Sequence, residues 1–442
     1  MVRMKLSPFM LCAALVFSSG IFAQPRYDLL LKHGHVIDAK SGLSAIRDVA
    51  ISGGRIAAVA SDIPAATARK VIDASSLYVT PGLVDIHTHV MAMSGLRGSL
   101  AEDQNVWADS HTFRAGVTTV VDAGSSGWRT FEEQKRRIMD HSRTRVLAML
   151  NIVGAGQGGG NSEQDTGDMD PKATAAMAKR YPGVVVGIKT AHYRGPEWIP
   201  VERAVEAGTL ANIPVMVDFG DFRPERPYED LVTKKLRPGD ISTHTYLGRA
   251  PLLDENGKLR PYLLEARKRG VIFDVGHGGG SFLFRQAVPA IEQGFTPDSI
   301  STDLHTESMN AGMKDMLNVA SKLLNIGMGM DAVIARATWH PAREIKREDL
   351  GQISVGTVAD LAVLRVEQGE LRICRFLRCA HERQQAAGVR AHDFRWAGGV
   401  GPEWTHARGL AQGGQVRKDA GYTLGFYLRP AAAKSQVDPM SV

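Results

Sequence analysis

The sequence of 442 residues has only three cysteines, Cys12, Cys374 and Cys379. That excludes a disulfide framework, and it excludes a thiol nucleophile or thiolate metal site between residues 24 and 369. Any metal bound in that span must be held by His, Asp, Glu or a modified Lys. Aromatics are sparse, at 7%, and in the body of the chain they nowhere interleave with a basic run, although the formal net charge is +6. The surplus sits at the two ends. Arg3 and Lys5 open the chain, residues 370–442 carry eleven Lys/Arg against six Asp/Glu, and the body between is nearly neutral. That distribution argues against a nucleic-acid partner, which needs a basic face. No run of 18 or more apolar residues occurs, so no stable membrane anchor is expected. The apolar stretch 9–23, behind a short basic start, has the length and order of a secretory signal. Residues 1–23 are therefore expected to direct export, with cleavage after Ala23 and a periplasmic destination.

With 44% hydrophobic and 23% charged residues, the remaining chain is composed like a globular protein and is long enough for a large core. Residues 24–80 read as short strands at 27–31, 35–38, 48–52, 55–60 and 70–73, separated by turns such as SGG and DASS, which predicts a small β domain. Between 81 and 350 the texture changes. Eight apolar runs (82–86, 117–122, 145–152, 184–189, 214–218, 240–244, 271–275 and 299–303) alternate with segments long enough for helices. That alternation predicts an α/β fold, a (β/α)8 barrel of TIM type. Residues 351–370 return to β texture and are expected to rejoin the first domain, so that N- and C-terminal segments together form a small β-sandwich.

The polar residues of this barrel gather where chemistry is expected. His87, His89, Asp122, Lys189, Asp218, His244, His277 and Asp303 all fall at the C-terminal ends of the predicted strands. His87 and His89, at i and i+2 after an apolar strand, project to one face and can converge on a metal. Lys189 ends the run VVVGIK, where a buried ammonium needs a partner. Either it pairs with Asp218 or Asp303, or its amine captures CO2 and becomes a carbamate that ligates metal.

The segments YDLLLKHGHVID, PGLVDIHTH, GVTTVVDAGS, VVGIK, DISTHTYLG, FDVGHGGGSF and ISTDLH resemble, in order, those of the amidohydrolase superfamily. More narrowly, they resemble its deacetylase-type metallohydrolases, relatives of dihydroorotase. The resemblance runs over roughly residues 27–370. It implies one or two zinc ions or other divalent metals per chain, with His87 and His89 ligating the first, carboxylated Lys189 bridging, His244 ligating the second, and Asp303 both ligating and shuttling protons. The fifth strand departs from the commonest pattern, with Asp218 where a histidine ligand is usual. Either Asp218, or His192 nearby, completes the second metal site, or Asp218 pairs with an unmodified Lys189 and one metal binds. His277 is placed over the substrate, polarising its carbonyl. His192, Tyr246 and Arg194, with Arg249, are candidates for gripping a substrate carboxylate.

The implied reaction is hydrolysis of an amide or ester of a small-molecule substrate by metal-activated water, an N-acyl or N-acetyl amidase or deacetylase acting on carbon–nitrogen bonds other than peptide bonds. The alternatives are a cyclic amidase of dihydroorotase or hydantoinase type, and a non-catalytic binding protein or inactive product. A homo-oligomer is compatible with the sequence. The tail 371–442 breaks the texture: RICRFLRCAHER has no strand pattern. One set of synonymous codons for residues 371–404, shifted by one nucleotide, reads as alternating β-type sequence resembling the family's ending. The tail is therefore expected to be translated out of frame.

Overall fold

The computed structural model describes residues 25–92, 104–157, 162–219, 222–369 and 421–426. The signal-like start and, apart from 421–426, the tail beyond residue 369 lie outside the described residues.

Two sheets organise the chain. The first is built on β1 (Tyr27–Asp38). It folds back on β2 (Leu43–Ser52), and β2 on β3 (Arg55–Ala60), as antiparallel neighbours. The β2–β3 reversal uses Gly53 and Gly54, at φ 56° and 70°, the two left-handed positions of a tight hairpin. β4 (Ala68–Asp73) and β5 (Tyr78–Pro81) share the other edge of β1, each parallel to one half of it. β13 (Leu361–Gly369) returns from beyond the barrel to pair antiparallel with β5, and β14 (Gly421–Phe426) adds to β13. The apolar side chains of Val36, Val49, Val79 and Val363 pack together on this sheet.

The second sheet runs β6 (Leu83–Thr88), β7 (Val117–Gly127), β8 (Arg145–Asn151), β9 (Val185–Ala191), β10 (Val215–Asp218), β11 (Ile241–Ser242) and β12 (Ile272–Phe273), every neighbour parallel. These strands are buried along almost their whole length, as a sheet covered by helices requires. The eighth apolar run makes single bridges rather than a ladder. Ser299 bridges Asp274 beyond β12, and Leu304 bridges Thr88 of β6, so residues 299–304 close the ring. The seven-stranded curled sheet with this closing segment is the barrel read from the sequence.

Local chemistry sets the helix ends. Pro171–Arg180 starts with Pro at its first turn and Asp170 as cap, whose side chain accepts the N–H groups of Lys172 and Ala173. Ile199–Ala211 stops at Asn212, left-handed at φ 54°. The short helix Trp339–Glu344 and the residues after it send Ala342, Ile345 and Leu350 into a cluster with Ile86, Val121 and Met149 of the strands. Among the described residues no helix is long and apolar enough to cross a membrane.

Candidate metal centre

Four barrel strands and the closing segment deliver polar side chains to one mouth of the ring. His87 and His89 come from β6 and the residue following it, Lys189 from β9, Asp218 from the end of β10, His244 from just past β11, and Asp303 from the closing segment. All are buried, from 0% relative exposure for His87 and Lys189 to 8% for Asp303. Ligand atoms of His87, His89 and Asp303 lie within 4.8 Å of one another, and so do those of His87, Asp218 and His244. His87 belongs to both groups. His89 Nε2 is 3.1 Å and His87 Nε2 3.5 Å from Asp303 Oδ1, while His244 Nε2 is 3.1 Å from Asp218 Oδ2. Lys189 Nζ joins the groups, 2.8 Å from His87 Nε2 and 3.5 Å from Asp218 Oδ2. Gly124 makes room for it, since a Cβ there would meet Lys189 Cγ at 2.6 Å.

The donor set fits a divalent metal. In each of the three histidines Nδ1 is held from behind, by Thr243 Oγ1 for His87 (3.0 Å), Ser125 Oγ for His89 (3.1 Å) and the Gly276 carbonyl for His244 (2.5 Å). Ser125 Oγ donates its proton to Asp122 Oδ2 and therefore accepts from His89. Asp122, in turn, accepts the backbone N–H groups of Val90 and Met91 and so fixes the loop that follows His89. With Nδ1 engaged, each Nε2 faces the centre, as metal-binding imidazoles require.

The electrostatics agree. Burial would raise the pKa of Asp303, but His305 and His89 beside it hold its carboxyl well below the usual range. Burial likewise opposes ionisation of Asp218, and His244 and Lys189 overcome it. Burial, with Lys189 adjacent, pushes His87 far down, so it is neutral and its lone pair is available. Three residues of the site, His192, His244 and Asp303, hold φ of 52°, 58° and 50° although none is glycine. Such backbone strain costs on the order of 1–3 kcal/mol per residue and clusters where function fixes geometry.

The predicted substrate contacts are placed less uniformly. His192 stands at the mouth with a side chain 43% exposed, its Nδ1 2.9 Å from Glu163 Oε2 and its Nε2 3.9 Å from Asp218 Oδ2. Burial opposes its charge, but Glu163 and Asp218 prevail and raise its pKa to about 9. Arg194, two residues on, is exposed, with its backbone N–H donating to Gln164 Oε1. Tyr246 does not reach the site. Its side chain is fully buried, its hydroxyl donates to the Phe295 carbonyl, and its ring meets Phe282 edge-on. The position after a short strand turned it into the core rather than into the mouth.

His277 is correctly placed but differently occupied. Its Nδ1 donates to Gly278 O, its Nε2 accepts from Lys322 Nζ at 2.8 Å, and its ring stacks on Phe282 at 4.9 Å. No N–H remains to polarise a substrate carbonyl, which corrects the role expected for it. Lys322, Glu163, His305, Ser125 and Thr243 are the site residues that sequence reasoning missed. Lys322 had a visible signal, because it is the one charged residue of the segment Met316–Asn325, which the structure folds as a helix that buries it. His305, two residues past Asp303 and 3.6 Å from its Oδ2, was legible as a histidine next to a ligand.

A parallel barrel whose strand ends converge three imidazoles, two carboxylates and a lysine defines a metal-dependent hydrolase. The comparisons narrow the class. No protein-family model matches the chain. A deacetylase of Agrobacterium fabrum is 32% identical over 341 residues, covering 75% of this chain and 81% of the relative. The crystal structure of an adenine deaminase superposes with a TM-score of 0.69 at 28% identity, covering 77% of this chain and 91% of that one. The crystal structure of a dihydroorotase does so with a TM-score of 0.66 at 30% identity, covering 77% and 90%. The chain belongs to the amidohydrolase superfamily. It is a metal-dependent amidohydrolase acting on carbon–nitrogen bonds other than peptide bonds.

Proposed function

We propose that this enzyme is a zinc-dependent deacetylase, an N-acyl or N-acetyl amidase, that hydrolyses a linear amide of a small-molecule substrate after export to the periplasm. The observation that supports it is the pair of ligand groups sharing His87 beside an ionised Asp303. The Agrobacterium relative named a deacetylase supports the same reaction. Imidazole and carboxylate donors suit zinc, and other divalent metals share them. His87, His89 and Asp303 would hold one ion, and His87, Asp218 and His244 a second. Lys189, as a carbamate, would present oxygen to both in place of an ammonium. The signal-like residues 1–23 support export.

A bound divalent metal supplies Lewis acidity toward the carbonyl and acidifies water to near neutral pH. The protein's own residues do the rest. Asp303, ionised and slightly open to solvent, takes a proton from water as its oxygen adds to the carbonyl carbon. As the C–N bond breaks, Asp303 returns that proton to the leaving nitrogen, and the acyl group departs as a carboxylic acid carrying the water's oxygen. His305 Nε2, 3.6 Å from Asp303 Oδ2, sets positive charge beside that carboxylate and favours its ionised form. His192 and Arg194, at the mouth, offer positive charge to a substrate carboxylate such as an N-acyl amino acid carries.

The test is metal content per chain, with turnover of N-acetyl and N-acyl amino acids measured beside cyclic ureides. One or two metal ions per chain with faster turnover of a linear amide support the reading. Faster turnover of a cyclic ureide would favour a cyclic amidase, the reading that the superposition on a dihydroorotase supports. Folded protein that retains and takes up no metal would overturn both.

A further inference from the structure

We infer that Asp274 is a positioning residue that orients two histidines of the centre, His87 and His244, at once. The inference rests on the metal-centre reading above. Asp274 follows β12, is fully buried, and among the described residues forms no ion pair with a lysine, arginine or histidine. Its carboxylate is held by hydroxyls. Ser299 Oγ donates to Oδ1 at 2.8 Å, while Thr243 Oγ1 and Ser301 Oγ donate to Oδ2 at 2.8 and 2.6 Å.

Two arms leave this carboxylate. In the first, the single hydroxyl proton of Thr243 is committed to Asp274, so Thr243 Oγ1 can only accept from His87 Nδ1, 3.0 Å away. That fixes His87 as the Nδ1–H tautomer with the Nε2 lone pair facing the ligand cluster. In the second, the proton of Ser301 is likewise committed, and its oxygen accepts the N–H of Gly276 at 3.0 Å. The carbonyl of Gly276 then accepts His244 Nδ1–H at 2.5 Å and fixes the same tautomer there. The arms meet at Gly276, whose φ is +45°. A Cβ at that position would lie 2.2 Å from Thr243 Oγ1 and 2.9 Å from His244 Nδ1. The ring thus carries a hydroxyl-relayed version of the carboxylate–histidine–metal arrangement, in which one carboxylate serves two candidate ligands from different strands, β6 and β11.

The experiment compares wild type with Asp274→Ala, Thr243→Val, Ser301→Ala and Thr243→Ser. Metal affinity is read by competition with a chromophoric chelator using zinc, and histidine tautomers by nitrogen-15 NMR of the zinc-free full chain. Asp274→Ala should weaken zinc binding about 10- to 100-fold, the usual effect of losing such a partner, and should remove the Nδ1–H signature of His87 and loosen that of His244. Thr243→Val should remove that of His87 alone, Ser301→Ala should loosen that of His244 alone, and Thr243→Ser should restore the wild-type pattern. If Asp274→Ala does not fold, the two single-arm variants decide the matter. Wild-type affinity and unchanged tautomers in folded Asp274→Ala, or in both single-arm variants, would overturn the inference. Wild type that binds no zinc would instead overturn the metal-centre reading, and this inference with it.

Discussion

Lys189 Nζ lies 2.8 Å from His87 Nε2, and neither side chain is reached by solvent. An amine held against the lone pair of a metal-ligating imidazole competes with the metal, whereas a carbamate on the same nitrogen joins it. Enzyme prepared with zinc and carbon-13 bicarbonate should show a carbamate carbon in its NMR spectrum. That signal should vanish in Lys189→Arg, together with at least one metal ion per chain. Wild type with full metal and no such carbon would show that Lys189 stays an ordinary lysine.

Asp303→Asn keeps the shape of the side chain and removes its base. Turnover should fall about 10²- to 10⁴-fold, the typical worth of a positioned acid–base group. Circular dichroism should remain that of the wild type. Turnover within a few-fold of wild type would assign the proton transfer to another group.

Tyr246 is bonded to Phe295 O in the core, away from the mouth. Tyr246→Phe should therefore cost about 1 kcal/mol of stability, one lost hydrogen bond, and leave KM unchanged. A rise in KM without loss of stability would return Tyr246 to the substrate.

Burial, with the Lys322 ammonium beside it, pushes His277 down to about 3. An unfolded histidine titrates near ~6.5. Between those values the unfolded chain binds a proton that the native chain refuses. The stability held above ~6.5 is therefore lost progressively as pH falls toward about 3, at up to about 1.4 kcal/mol per pH unit. Urea midpoints measured across this window should fall more steeply for wild type than for His277→Gln, and parallel curves would remove His277 as the cause.

The gene provides its own check on residues 371–442. A single inserted or deleted nucleotide near the codon for Leu371 should, once corrected, yield alternating β-type sequence in place of RICRFLRCAHER. Nucleotide sequencing decides this directly, and the corrected chain should melt at a higher temperature.

The barrel was legible because its strands are apolar runs with a polar last residue, a pattern that survives without knowledge of contacts. The candidate ligands stood out in the sequence for the same reason, since Lys189, Asp218, His244 and Asp303 each end a run and His87 and His89 follow one. What was hidden is carried by pairs distant in sequence. Thr243 lies 156 residues from His87, and Lys322 lies 45 from His277. Serines and threonines are too common for their positions to signal a hydrogen bond across the ring. Tyr246 was misread because position after a strand end gives no indication of which way a side chain turns. The eighth run was read as a strand of the same kind as the others, yet it joins its neighbours by single bridges at Ser299 and Leu304.

That closing segment has a consequence for the order in which the enzyme comes into being. It is the last part of the ring to be synthesised, and it carries Asp303 together with the serines that brace Asp274. A nascent chain with seven strands already laid down has its histidines but neither Asp303, the proposed base, nor a closed ring. On the proposed mechanism, a chain truncated before residues 299–304 should therefore be catalytically inactive.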